Sequence, residues 1–128
     1  ATHRADLVRA ALEGVALAIK GGLKALLDAN HGVESMVLTG GGTGNATWRQ
    51  MLSDVLGVEL RASSELNPSA RGAATLGAGV GGIDLSLRDP AGAGNESVVP
   101  DASAAADYER LYAQFDHAVR TQQDGRLD

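Results

Sequence analysis

Apolar residues recur at intervals of three and four over residues 4–29, where Val8, Leu12, Val15, Ile19, Leu23 and Leu26 share one stripe. Arg9, Glu13, Lys20 and Lys24 take the other side. The pattern predicts a long amphipathic helix, with Thr2 as its N-cap and Asn30-His31-Gly32 as its stop. Gly14, Gly21 and Gly22 inside it each cost about 1 kcal/mol against Ala, so close backbone packing is the expected compensation. Residues 35–39 are a short apolar run broken by glycine and read as a buried strand. The loop Gly40-Gly41-Gly42-Thr43-Gly44-Asn45 follows. Trp48, Met51, Leu52, Val55 and Leu56 then mark a second helical stripe, closed by Gly57. Residues 58–61 form a second strand candidate, and residues 62–67 a polar loop.

Asn67-Pro68 reads as an N-cap with Pro at the first helical position. The helix after it, residues 69–80, is built on Ala and Gly. Beyond residue 81 the pattern weakens: residues 89–95 are loop by composition, and Val98-Val99 is a short strand or an anchored turn. A last helix opens at Asp101 or Ser103, with Tyr108, Leu111, Tyr112, Phe115 and Val119 on one face, and residues 121–128 form a frayed tail. Strand-to-strand crossings through a helix imply parallel pairing. Two strands are too few for a self-sufficient sheet, so the expected fold is part of an α/β domain, helix-rich with a small parallel sheet.

Composition narrows the function classes. The 128 residues carry a net charge of −5 with no basic run, which argues against a nucleic-acid partner. Cys is absent, removing disulfides, Cys-based zinc sites and thiol catalysis. The longest apolar run, residues 15–19, is far short of the roughly 20 residues of a membrane span. No signal-peptide pattern opens the chain, so a cytoplasmic location is expected. Three histidines lie far apart, without metal-ligand spacing.

The glycine tract is the strongest local signal. A strand ending in glycines and followed at once by a helix lets a ligand approach the backbone, and aims unpaired N–H groups at it. A tight turn with no ligand fits the same residues. No Lys follows Lys24, which rules out a P-loop, and the dinucleotide fingerprint fails because Asn45 or Thr47 stands where its third small residue belongs.

The segment Thr39-Gly40-Gly41-Gly42-Thr43-Gly44-Asn45-Ala46-Thr47-Trp48-Arg49-Gln50, running on to Gly57, resembles the adenosine-site segment of the FGGY carbohydrate kinases, with xylulose kinases the nearest likeness. Arg9-Ala10-Ala11-Leu12-Glu13-Gly14-Val15-Ala16 resembles a helix of the same family, and so do Ser69-Ala70-Arg71-Gly72-Ala73-Ala74 and Tyr108-Glu109-Arg110-Leu111-Tyr112. The likeness spans nearly the whole chain. It implies an actin-like, ribonuclease H-like ATPase domain: residues 1–128 as the C-terminal, nucleotide-binding lobe, with the N-terminal lobe holding the sugar and the catalytic Asp. It implies ATP and Mg²⁺ as cofactors of the full enzyme, Gly41 and Gly42 along the nucleotide, and Asn45 near adenine or ribose. Arg71 departs from many xylulose kinases and is also reminiscent of gluconate kinases of the family.

The remaining residues read more plainly. Asp54 is a structural carboxylate rather than a catalytic base, Trp48 a core anchor rather than a stacking platform, and Asn45 is equally readable as an N-cap. No catalytic residue and no metal site is assigned within the chain. A non-catalytic actin-like assembly module and an unrelated α/β fragment are the alternatives. An open two-stranded sheet and partly bare faces on the first two helices lead us to expect a homo-oligomer.

Overall fold

The computed structural model describes residues 2–27, 32–63, 67–83 and 93–125. Its elements are α1 (Arg4–Leu26), β1 (Ser35–Leu38), α2 (Ala46–Leu56), β2 (Glu59–Ser63), α3 (Pro68–Val80), β3 (Ala93–Val98) and α4 (Ala105–Asp124), with a 3₁₀ turn at Gly41–Gly44 between β1 and α2.

The sheet has three strands in the order β1-β2-β3. β1 and β2 pair in parallel, Ser35 opposite Glu59 and Leu38 opposite Ala62, as the intervening helix requires. β3 pairs with β2 antiparallel, with an irregularity between Arg61 and Ser63. The sheet is therefore mixed, not purely parallel. The expected short strand at Val98 is the end of β3; the rest of it is concealed because Ala93-Gly94-Asn95 is poor in strand-forming side chains. The buried strand expected at residues 35–39 is an edge strand with alternating exposure, its Met36 and Leu38 packing inward and Val37 outward.

α2 packs on the sheet, and α1 and α4 pack against α2. The core joins Ala16 and Leu17 of α1, Met51, Leu52 and Val55 of α2, Val58 and Leu60 around β2, and Tyr108 of α4, with Leu111, Tyr112 and Phe115 packed against it. Ser53 lies inside this core, its hydroxyl donating to the Val58 carbonyl at 2.8 Å. Asp54 accepts from Gln50 Nε2 and from the Asp101 amide, both at 2.8 Å, and so ties α2 to the start of α4. Asp101 in turn accepts from the amide and hydroxyl of Ser103, which holds its carboxyl below the usual range.

α1 leaves its apolar stripe bare and buries part of the opposite side, including Lys20. Ala16, Leu17 and Lys20 are its buried residues, whereas Val8 (61% exposed), Leu12, Val15, Ile19 and Leu26 (85%) face outward. Lys20 is accommodated because its ammonium donates to the Val55 carbonyl at 2.7 Å and to Glu109 Oε1 at 2.6 Å. The ring of Tyr112 also lies 5.6 Å from the Lys20 nitrogen and 4.2 Å from that of Lys24. One cation thus joins three helices. The glycines of α1 do not mark close packing throughout: a Cβ on Gly21 would meet the Tyr112 hydroxyl at an ordinary 3.6 Å, and Gly14 and Gly22 have open space beside them.

Several boundaries move. His3, not Thr2, precedes α1, its N–H donating to Asp6 Oδ2 at 2.8 Å. α1 ends at Leu26 rather than near residue 29; Asn30 and His31 lie outside the described residues. α4 begins at Ala105 and stays helical through Asp124, taking in half of the expected tail. α3 has no buried residue and stands apart from the core. Among the described residues, no helix is long and apolar enough to cross a membrane.

Candidate functional site

The glycine turn sits on the exposed end of β1, where the chain reverses into α2. Gly40 holds φ at +94°, a conformation closed to most side chains, and its carbonyl accepts from the Thr43 amide at 3.1 Å and the Thr43 hydroxyl at 2.8 Å. The Asn45 amide then donates to the Gly42 carbonyl at 3.3 Å, completing a short 3₁₀ coil. Asn45 caps α2: its Oδ1 accepts from the Trp48 amide at 3.0 Å. Gly57 closes α2 in the left-handed region, with φ at +74°.

The structure separates the three candidate residues by what surrounds them. Gly41 is exposed, with nothing within 4 Å of where a Cβ would stand, so its backbone is open to a ligand. Gly42 is different. A Cβ there would lie 3.1 Å from both Cδ1 and Nε1 of Trp48, so a side chain at this position crowds the Trp48 ring. Trp48 itself is half-buried against the core, as an anchor would be. Asn45 has its side-chain carbonyl engaged by the cap. All three lie within one six-residue reversal.

Arg49, given no role from the sequence, is built into the same turn. Its Nη1 donates to the Thr43 carbonyl, and Nη2 pairs with Glu96 of β3 at 2.8 Å. The signal available in the sequence was only its place four residues after Asn45, where a long side chain can fold back over the helix start. Two grooves flank α4. One, about 670 Å³, lies between α1 and α4 beside Gly21, Tyr112 and Phe115; the other, about 610 Å³, is lined by Glu13, Asp54, Asp107 and Arg110. Neither includes the glycine turn. Among the described residues, no three His, Asp or Glu side chains converge as a metal site.

A family model described as the FGGY family of carbohydrate kinases, C-terminal domain, matches residues 1–79. The chain belongs to that family. An FGGY relative, the xylulose kinase of Escherichia coli K12, is 35% identical over 121 residues, covering 86% of this chain and 25% of its own. A xylulose kinase of Staphylococcus epidermidis is 30% identical over 75 residues, or 59% of this chain and 15% of the relative. The crystal structure of xylulose kinase from Rhodospirillum rubrum superposes with a TM-score of 0.80 at 31% identity, covering 100% of this chain and 27% of that one. The chain thus spans between 15% and 27% of the length of these FGGY relatives, and its helix-rich, small-sheet architecture is that of the C-terminal domain of the fold.

Proposed function

We propose that residues 1–128 form the C-terminal nucleotide-binding domain of an ATP-dependent sugar kinase, which transfers the γ-phosphate of ATP to a hydroxyl of D-xylulose. The observation that carries this reading is the exposed glycine turn between β1 and α2, whose open backbone at Gly41 fits the approach of a nucleotide. In this reading Gly41 and Gly42 run along the nucleotide and Asn45 borders the adenine or ribose. The described residues fit such a seat without supplying the reaction's base. Phosphoryl transfer requires in-line positioning, Mg²⁺ on the phosphates, and a carboxylate to take the hydroxyl proton. That carboxylate and most of the sugar contacts belong to the preceding lobe, and Mg²⁺ accompanies the phosphates in the full cytoplasmic enzyme. The names of the Escherichia coli and Rhodospirillum rubrum relatives support xylulose over gluconate as the sugar.

Calorimetric titration of the purified chain with ADP and MgATP tests the seat. Gly41→Val should abolish binding while leaving the unfolding temperature within about 2 °C, because its side chain enters open space on the surface. Equal ADP affinity in wild type and Gly41→Val would remove the turn from the nucleotide site. The chain alone should not phosphorylate xylulose, since lobe closure completes the reaction site.

A further inference from the structure

We infer that Arg49 is a positioning residue that locks the glycine turn to β3, so that the shape of the nucleotide seat depends on a strand outside the β1-turn-α2 unit. The turn's other supports are local. The Thr43 hydroxyl reaches back three residues to Gly40, the Asn45 cap reaches forward three to Trp48, and the Trp48 ring fills the space beside Gly42. Arg49 differs in reach. Its Nη1 donates to the Thr43 carbonyl in the middle of the turn, while Nη2 pairs at 2.8 Å with Glu96, 47 residues along the chain. The planar guanidinium holds both partners at once, which a lysine ammonium on a flexible stem cannot reproduce.

Burial sharpens the assignment. The Arg49 side chain is 12% exposed against 73% for Glu96, so the cation is enclosed and its carboxylate partner lies on the rim. Arg49 Nε is buried without a hydrogen-bond partner among the described residues. One donor is forgone while the other two bonds are kept, as expected of a side chain whose position is fixed by its two ends. A charge enclosed this way is held by its carboxylate, and removing Glu96 should loosen it. Because Glu96 lies on the surface, its replacement tests the lock without opening the core.

The proposal rests on the nucleotide reading only for its consequence at the ligand, and two measurements keep the parts separate. Hydrogen exchange followed by NMR on the whole 128-residue chain reads the turn directly, through the hydrogen-bonded amides of Thr43 and Asn45. Arg49→Lys and Glu96→Ala should each speed exchange at both amides by about tenfold or more, the loss of a charge-assisted bond. Exchange at Leu17 and Tyr108 in the core should stay unchanged. Glu96→Gln, which keeps an acceptor, should recover most of the protection. ADP titration then reads the consequence: about tenfold weaker binding in Arg49→Lys and Glu96→Ala, with Glu96→Gln close to wild type. Unchanged exchange at Thr43 and Asn45 in Glu96→Ala overturns the lock, whatever ADP does. Faster exchange with unchanged ADP affinity overturns the positioning role. A wild-type chain that binds no ADP defeats the nucleotide reading, and the exchange data still decide the lock.

Discussion

Substituting Gly42 by Ala places a methyl carbon 3.1 Å from Cδ1 and Nε1 of Trp48, inside the 3.5–4.0 Å at which carbon contacts are most favourable. The ring cannot slide far, since it is packed against the core. Overpacking of this kind costs about 1–3 kcal/mol, and one methyl against the edge of a half-buried ring belongs at the low end, about 1 kcal/mol. Gly41→Ala is the matched control. It lies one residue earlier in the same turn, has open space beside it, and is not among the positive-φ glycines. It should stabilise by about 0.5 kcal/mol through the unfolded chain. The pair should therefore differ by about 1.5 kcal/mol, or roughly 6 °C in Tm for a domain of this size. Urea unfolding followed by the fluorescence of Trp48, the single Trp of the chain, measures both stability and the environment of the struck ring. Equal stabilities for the two variants would refute the reasoning. The result also bears on the proposed nucleotide seat: loss of binding in a Gly42 variant would not by itself indicate a blocked ligand, because the turn itself is disturbed.

Three other outcomes are expected. Lys20→Met keeps the aliphatic stem but strands the buried Val55 carbonyl, and should cost about 1–3 kcal/mol in urea unfolding, whereas Lys24→Met, at a half-exposed site, should cost under about 0.5 kcal/mol; equal effects would contradict the buried role of Lys20. The hydrogen bond from Lys20 holds the Glu109 carboxyl below its usual range, so this pair's contribution is present above the ordinary glutamate value of about 4.3 and is lost as pH falls through the lower folded value; Glu109→Gln should flatten that acid limb of the stability curve, and an unchanged limb would count against the pair. The exposed stripe Val8-Val15-Ile19 should drive self-association, visible by light scattering over a hundredfold dilution and reduced by Val15→Glu; a chain that is monomeric throughout would show the stripe does not act this way.

The sequence carried the order of elements well where the signals were local. Gly57 and Pro68 marked helix ends by their own backbone chemistry, and the Trp48–Leu56 stripe faced the core as its spacing implied. It failed where the answer lay elsewhere in space. The apolar stripe of α1 points outward, in line with the partly bare face expected of it, but its spacing did not say that Ala16, Leu17 and Lys20 would form the buried side. Lys20 was assigned to the solvent side because nothing nearby in sequence announces Val55 and Glu109, 35 and 89 residues away. Of β3 only its Val98 end was legible; residues 93–97 lack strand-forming side chains, and their pairing with β2 is made by the backbone. The candidate site divides in the same way. Gly41 and Asn45 were visible as a turn and a cap, while the Gly42–Trp48 contact and the Arg49–Glu96 bridge required coordinates.

The part played by α4 bears on how this domain should be cut for experiment. The family match ends at residue 79, so a fragment trimmed there would still carry every residue of that match. It would nonetheless discard Tyr108 from the core, Glu109 from Lys20, and the β3 strand that supplies Glu96 and the second acceptor of Ser53, the Val98 carbonyl at 3.4 Å. What remained would be two strands and three helices around an enclosed ammonium with its carboxylate removed. A usable truncation of this domain must keep the polypeptide through α4, at least to Asp124.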